Sequence, residues 1–347
     1  MQPRVTITDV AHAAGVSVAT VSRALRGVAG VRPQTLERVR RAATALEYVA
    51  SASPAAPVAG RTRTVGVVIP VLARWQFTTV LACIERTVHE LGYHALPLDL
   101  LDTRSQAGAP TRLRLTRNLL WKRVDGLITV NLALTEPEVA LIRRLGLPLV
   151  TTGHRIPGWP AVRTDPARVV TAEVDHLLRL GHTEIAYVAT APADAPDTRR
   201  SLAAFLSTIR GRGLRTPRPW LLGCRAAAGH AAQVALPMLT AANPPTAVVA
   251  GCDEIAIGVL TAARRAGLRV PQDLSVVGSG DHAFAESLGL TTIRHDLDAQ
   301  GRAAASMLVS RISAGPGPRS AETVVVPCRL VERGSTAPPR RAQPAGT

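Results

Sequence analysis

The sequence predicts a small all-α helix-turn-helix head followed by an α/β core of two lobes, each a parallel, doubly wound sheet. Two short amphipathic helices flank a glycine at residue 15, and a stretch rich in alanine, serine and proline follows them. After residue 64, apolar runs of four to six residues alternate with amphipathic helical segments, as in sheets covered on both faces. We therefore expect a head at 1–49, a linker at 50–63, a core at 64–333 and a disordered tail at 334–347.

The head begins with two helices joined by a tight turn. Thr6 and Asp9 have the spacing of a capping box for the first helix. Gly15 can adopt the positive φ that the turn requires, and Ser17 stands where the second helix needs an N-cap. Pro33 suits the first turn of a third helix, predicted over 33–48. The apolar positions at helical spacing are Val10, Ala11, Ala14, Val21, Leu25, Leu36, Val39, Ala43 and Leu46.

The outward side of the second helix is the predicted DNA-reading surface. In a helix-turn-helix the second helix lies in the major groove, and its N-terminal residues read base edges. Val18 and Ala19 are small and apolar, which suits thymine methyl groups. We expect Val18, Ala19 and Ser22 to face bases, and Ser17, Thr20 and Arg23 to lie near the phosphate backbone. The predicted DNA-binding residues are Thr6, Ser17, Val18, Ala19, Thr20, Ser22, Arg23 and Arg26.

The charge balance favours a polyanionic partner. The formal net charge is +16, and residues 1–60 hold seven arginines against three acidic residues. Such an excess suits phosphate contacts, which position a protein on nucleic acid without reading its sequence. Part of the excess is explained equally well by a solvated surface in a chain whose composition favours arginine over lysine.

Three strings of the head carry a family resemblance. Asp9-Val-Ala11, Ala14-Gly-Val-Ser17 and Thr20-Val-Ser-Arg23 resemble the start of the lactose/galactose repressor (LacI/GalR-type) family of bacterial transcription regulators. The likeness is close over the first fifty residues and looser to about residue 333. It implies a core similar to periplasmic sugar-binding proteins, a homodimer on a near-palindromic double-stranded operator, and a small-molecule effector, with a sugar as one option.

The linker departs from the family pattern. In the family this stretch forms a short hinge helix on DNA, and a leucine from it wedges into the minor groove. Here Pro57 stands where that leucine is expected, with Pro54 three residues before it. Proline inside a helix costs about 3 kcal/mol or more, so the sequence predicts a weak or absent hinge helix at 51–59.

The core is predicted to consist of two units of alternating strands and helices. The expected strands are 65–69, 94–100, 126–130, 149–152, 185–190, 247–250 and 275–278. The expected helices are 77–91, 110–121, 136–145, 166–180, 198–212, 229–240, 254–266 and 299–312.

A ligand is expected between the lobes, since open α/β sheets bind ligands beyond the carboxyl ends of their strands. This rule selects the loops after Ile69, Val130, Thr152, Thr190, Ala250 and Gly278. The resemblance implies that Phe77 stacks on the effector and that Asp165 lies near the cleft, although Asp165 equally suits a helix N-cap. The predicted effector-binding residues are Phe77, His154, Asp165, Arg200, Asp253 and Asp281.

Three positions leave the chemical identity of the effector undetermined by the sequence. Ser201, Cys252 and Gly280 stand where the family pattern has polar groups that grip a sugar. Buried ligand hydroxyls left unpaired are unfavourable by about 1–3 kcal/mol each. The candidates are a modified sugar, a nucleoside-like molecule or another small metabolite, and a chain that binds no effector is a further alternative.

Other classes fit the sequence less well. A cytosolic solute-binding protein without specific operator recognition would explain the core but not the head. An enzyme would need a phosphate loop or a nucleophile set, and neither is found in the sequence. The four cysteines are far apart and form no metal or redox motif, so we expect no metal, no cofactor and reduced thiols. No signal segment or membrane span is evident, and no heptad-bearing tail follows residue 333, which together predict a cytoplasmic dimer.

Overall fold

The computed structural model describes residues 6–26, 31–46, 48, 62–72, 74–102, 111–190, 196–315 and 321–340. Its helices are α1 (Ile7–Ala14), α2 (Val18–Arg26), α3 (Pro33–Ala45), α4 (Trp75–Glu90), α5 (Arg117–Leu120), α6 (Glu136–Leu145), α7 (Pro166–Arg179), α8 (Pro196–Gly211), α9 (Ala228–Leu239), α10 (Asp253–Arg265) and α11 (Leu297–Ala314). Its strands are β1 (Thr64–Ile69), β2 (His94–Asp99), β3 (Leu101–Asp102), β4 (Thr111–Arg112), β5 (Gly126–Val130), β6 (Leu149–Thr152), β7 (Ala161–Arg163), β8 (Ile185–Thr190), β9 (Leu221–Cys224), β10 (Ala247–Ala250), β11 (Ser275–Gly280), β12 (Thr291–His295), β13 (Thr323–Val325) and β14 (Cys328–Val331).

The core has two lobes, each built on one six-stranded sheet. The strand order is β13-β7-β6-β5-β1-β2 in the first lobe and β14-β12-β11-β10-β8-β9 in the second. Within these two sheets, neighbouring strands are parallel except for β12 and β14, and β3 and β4 form a separate antiparallel pair. Apolar side chains are buried on both faces of each sheet, which explains why the central strands read as continuous apolar runs.

The chain passes between the lobes three times. The first crossing joins β7 to α7, the second joins β12 to α11, and the third joins β13 to β14. As a result α11, which follows a strand of the second lobe, packs against α4 in the first. Connections this short place the strand ends of the two lobes opposite each other.

One predicted helix is wrong. The sequence predicts a helix over 110–121; residue 110 is outside the described residues, and among residues 111–121 only Arg117–Leu120 are helical. The backbone N–H of Leu113 donates to the Leu100 carbonyl, and that of Leu115 donates to a carboxylate oxygen of Glu138 at 3.1 Å. These two bonds hold the segment extended up to the first residue of α5.

The expectation of a disordered tail is wrong for residues 334–340. Ser335 is buried and its hydroxyl donates to the Val276 carbonyl, while its own carbonyl accepts from the Val276 N–H. Further along, the N–H of Ala337 donates to the hydroxyl of Ser275 at 3.0 Å. The segment therefore lies against the second lobe. Residues 341–347, and the predicted hinge at 51–59, are outside the described residues.

Candidate functional site

The two helices of the head are capped as the sequence predicts. Thr6 and Asp9 form the capping box of α1, with the Thr6 N–H donating to the Asp9 carboxylate. Gly15 ends the helix at φ +60°. The Ser17 hydroxyl accepts from the Thr20 N–H at 3.2 Å and also bonds the Thr20 hydroxyl at 2.9 Å. Both hydroxyls are thus engaged at the start of α2.

The two sides of α2 differ sharply in exposure. Val21 is 0% exposed and Ala24 is buried beside it, packed against α1 and α3. Val18 is 41% exposed, and Ala19 and Arg23 are exposed on the same outward side. Ser22 is half-buried and Arg26 is the last residue of α2. The helix therefore presents its predicted reading residues to solvent, together with one cation.

A cleft of about 940 Å³ lies between the two lobes. Each of the six strand ends that the sequence selected contributes to its walls, as the strand-end rule predicts. Those contributions are Pro70, Asn131, His154, Thr190, Gly251 and Ser279. The apolar part of the lining includes Phe77, Val169 and Val170, and the polar part includes Gln300 and Arg225.

Two of the six predicted effector-binding residues, Phe77 and His154, line this cleft. Asp165 caps α7 by accepting from the Ala167 N–H, and it also accepts from Arg200 at 3.2 Å. These two residues pair with each other at the start of α7 rather than lining the cleft.

The two predicted acids of the second lobe are held by protein groups. Asp253 is 1% exposed and accepts from the His282 N–H at 2.6 Å and from the Thr292 hydroxyl at 2.7 Å. Asp281 accepts from Arg294 and from Arg333. Burial raises the pKa of Asp253, whereas the two guanidinium groups overcome burial and lower the pKa of Asp281. Asp281 lines a second, smaller cavity at the crossings between the lobes.

Sequence reasoning missed the polar groups of the cleft floor. Glu173 on α7 is 0% exposed, and neither carboxylate oxygen has a hydrogen-bond partner among the described residues. His295, at the end of β12, bonds the Ser279 hydroxyl through Nε2 at 3.0 Å, while its Nδ1 is shielded from solvent and unpaired within the same ranges. Glu173 follows two valines in an amphipathic helix, and an acid at an inward position of that helix is the signal that could have revealed it.

The electrostatics of the floor follow from burial. Burial, reinforced by the nearby Asp253 carboxylate, raises the pKa of Glu173 well above its ordinary value. Burial lowers the pKa of His295 to about 4 and raises the pKa of Tyr187. At neutral pH the floor therefore holds a neutral imidazole, beside a carboxyl group whose pKa burial has raised.

A bridge of side chains joins the lobes beside the cleft. Arg74 of the first lobe reaches Glu254 of the second at 3.5 Å, and it also lies over the Phe77 ring. The Trp75 ring lies 4.9 Å from the His282 ring, centroid to centroid. These contacts link the start of α4 to the second lobe.

Within the described ranges, no three His, Cys, Asp or Glu side chains come together as metal ligands. The four cysteines are free thiols, with Cys328 half-buried and the other three buried. No helix of the described chain has the length and apolar character needed to span a membrane.

A helix-turn-helix head joined to a two-lobed core with a cleft between its lobes defines a class, the DNA-binding transcriptional regulators with a ligand-binding type of core. Residues 6–51 match the family described as "Bacterial regulatory proteins, lacI family", and residues 174–336 match the "Periplasmic binding protein-like domain". The chain belongs to the lacI family of bacterial regulatory proteins.

The relatives support this assignment along the full chain. The HTH-type transcriptional regulator MalR of Streptomyces coelicolor is 33% identical, covering 97% of this chain and 99% of its own length. A LacI family regulator of Enterococcus faecium, solved with bound ribose, is 25% identical at a TM-score of 0.69, covering 79% of this chain and 99% of that one. The lac repressor dimer bound to operator and an anti-inducer shares the fold at 24% identity and a TM-score of 0.68, covering 96% of this chain and 100% of that one. The relatives described here are transcriptional regulators, not enzymes.

Proposed function

We propose that this chain is a repressor that binds a near-palindromic operator as a homodimer and changes its operator affinity when a small molecule occupies the cleft. The observation that carries the proposal is the two-sided character of α2. Val21 and Ala24 fix the helix on the head, and Val18, Ala19 and Arg23 are left facing outward. A protein that binds the bacterial chromosome works in the cytoplasm.

Roles within the head follow from this orientation. Val18 and Ala19 contact base edges, with Ser22 beside them, and Arg23 contacts a phosphate. Ser17 and Thr20 bond each other, so they act through their position at the start of the helix, where free N–H groups also favour a phosphate. Thr6 and Arg26 complete the proposed DNA-binding set.

The proposed effector site is the cleft, with Phe77 and His154 on the first-lobe side. Ribose in the Enterococcus faecium relative supports a ligand of the sugar class. Ligand binding changes the closure of the lobes and thereby the spacing of the two heads of the dimer, which requires different ligand affinities in the two states. Asp165 and Arg200 form a pair at the rim, and Asp253 and Asp281 act by shaping the second lobe.

The test is selection of bound duplexes from a random library by the full-length protein at a fixed salt concentration. Salt must be fixed because counterion release dominates non-specific affinity. We expect a near-palindromic sequence to be enriched. Binding without enrichment would show a head that grips phosphates only, and would contradict the proposed function.

Arg23→Ala tests the placement of α2 on that selected duplex. We expect weaker binding and a shallower dependence of affinity on salt, by about one unit of slope for each phosphate that is no longer neutralised. Arg215→Ala is the matched control, since Arg215 is an exposed arginine on the second lobe and its removal changes the net charge equally. Equal affinities and equal slopes for the two variants would contradict the placement.

A further inference from the structure

The cleft floor contains an acid that the described part of the protein leaves without a partner. Both carboxylate oxygens of Glu173 and the Nδ1 atom of His295 are shielded from solvent and unpaired. A buried polar group in this condition is destabilising unless something else satisfies it. The two residues line the same cleft, so the missing partner has room to enter there.

Glu138 shows how this chain treats a carboxylate that serves the fold. It is buried as deeply, at 2% exposed, yet it accepts from the backbone N–H groups of Leu115 and Thr135 and from the Thr135 hydroxyl. The contrast indicates that Glu173 is not retained for the stability of the ligand-free protein.

The unpaired atoms also specify the chemistry of the missing partner. The Ser279 hydroxyl bonds Nε2 of His295 and also lies close enough to Glu173 to lower its pKa, although no hydrogen bond of normal length joins the two. When Nε2 carries the ring proton, Ser279 accepts from it and can turn its single proton toward one Glu173 oxygen, which leaves Nδ1 and the other Glu173 oxygen as acceptors. The charged group that acts most on Glu173 is Asp253, another carboxylate, so no cation among the described residues offsets its charge.

An ammonium group meets these demands better than a hydroxyl group does. It has three N–H donors and no acceptor, and its positive charge offsets the removal of the carboxylate from water. A hydroxyl group offers one donor and no charge. A phosphate or carboxylate of the ligand placed beside Glu173 would face two acidic groups and be disfavoured at that position.

We propose that the cleft binds a small polyhydroxylated ligand bearing a protonated amine, which Glu173 and Nδ1 of His295 receive at the cleft floor. This inference rests on the proposed function, since it names the chemical class of the effector. The bound cation favours the ionised form of Glu173, so ligand binding releases protons from the protein to solvent.

Four other titratable groups surround Glu173, and their own protonation does not mask the protons that Glu173 releases. Tyr187 on β8, Asp253 on α10, His295 on β12 and Cys328 on β14 face it from the packed elements. The pKa values of Tyr187 and Cys328 are raised and that of His295 is lowered to about 4, so these three are neutral near pH 7. Asp253 keeps its two protein donors.

The first experiment needs no ligand. Glu173→Met replaces the unpaired acid with an apolar side chain of similar length, and we expect the melting temperature of the full-length protein to rise by roughly 2–4 °C. Glu138→Met is the matched control and should lower the melting temperature, because three donors lose their acceptor. A fall for Glu173→Met as large as that for Glu138→Met would overturn the inference.

The second experiment compares ligands that differ only at the amine. Glucosamine, galactosamine and mannosamine are tested against glucose, galactose, mannose and glucose 6-phosphate by calorimetry, in two buffers of different ionisation enthalpy. We expect one amine to bind at least about tenfold more tightly than its parent sugar, with net release of protons, and Glu173→Gln to remove both the preference and the release. Equal or tighter binding of a parent sugar or of the phosphate would overturn the proposal, as would failure of all three amines.

The two proposals can fail separately. The wild-type protein is taken through the duplex selection without ligand and again with each amine. Enrichment of an operator with no response to any amine leaves the regulator intact and refutes the amine site. Absence of enrichment under every one of these conditions refutes the regulator itself.

Discussion

Two valines that lie one turn apart on α2 allow packing within the head and DNA reading to be tested separately. Val21 is 0% exposed in the core of the head, whereas Val18 is 41% exposed on the outward side. Valine to alanine removes the same two methyl groups at either position and brings the same small gain in helix propensity. The difference between the variants therefore reports burial and location alone.

The magnitude follows from the small core of the head. Two buried methyl groups are worth about 1.6 kcal/mol in transfer free energy, and the cavity adds to it, so Val21→Ala lowers the free energy of unfolding of the head by roughly 2–3 kcal/mol. A domain of this size rarely exceeds about 3–5 kcal/mol in stability. We expect a large fraction of heads to be unfolded at 37 °C in Val21→Ala and almost none in Val18→Ala.

The assay is limited proteolysis of the full chain, followed on the head and core fragments, with duplex binding measured in parallel. Val21→Ala should expose the head to cleavage, spare the core and lose all duplex binding together. Val18→Ala should keep wild-type protection and lose discrimination between the selected duplex and variants at one or two base pairs. Equal protection of the two variants would refute the orientation of α2.

Three further outcomes follow from the core. Gly258→Ala should lower the melting temperature of the second lobe by several degrees, because its Cβ would lie 2.5 Å from the Ala228 carbonyl oxygen and 2.5 Å from the Ala231 Cβ, while Gly229→Ala, with no atom within 4 Å, should not. Truncation after Arg333 should destabilise the second lobe, and truncation after Arg340 should not; equal melting temperatures would contradict the packing of residues 334–340. Burial lowers the pKa of His182 in the native protein. The free energy of unfolding should therefore fall as the pH drops below about 6.5, because the unfolded chain binds a proton at a pH where the native imidazole stays neutral. His182→Gln should flatten that slope in urea titrations from pH 7.5 to 5, and an unchanged slope would assign it to other groups.

The periodic elements were predictable because their signals are local. The strands at 126–130, 149–152, 185–190 and 247–250 and the helix at 136–145 match the structure residue for residue. The strands β7, β9, β12, β13 and β14 were missed, since their pairing depends on partners that are distant in the chain. The helix predicted at 110–121 failed for the same reason, as the Glu138 carboxylate that holds Leu115 extended lies more than twenty residues away.

In the candidate site, too, the features set by the local sequence were predictable and those set by distant contacts were not. The strand-end rule located the cleft walls, because the ends of parallel strands meet at one edge whatever the side chains are. It could not say which acids stay free to meet a ligand. Asp253 and Asp281 follow strands as a ligand-binding acid would, yet Thr292 and Arg333 take up their oxygens from elsewhere in the chain. Glu173 lies inside a helix, and only the folded lobe shows that no described residue pairs with it.

By itself, then, the sequence determined the helix-turn-helix head, the orientation of α2, the two-lobed α/β class and the family. Each of these depends on spacing within a few residues or on strings that are read directly. Only the tertiary structure decided that the chain crosses between the lobes three times, that residues 334–340 close the second lobe, and that Glu173 lies at the cleft floor without a partner among the described residues. Those facts depend on which groups meet across long separations in the chain, because hydrogen bonding and burial are properties of the neighbours that folding supplies.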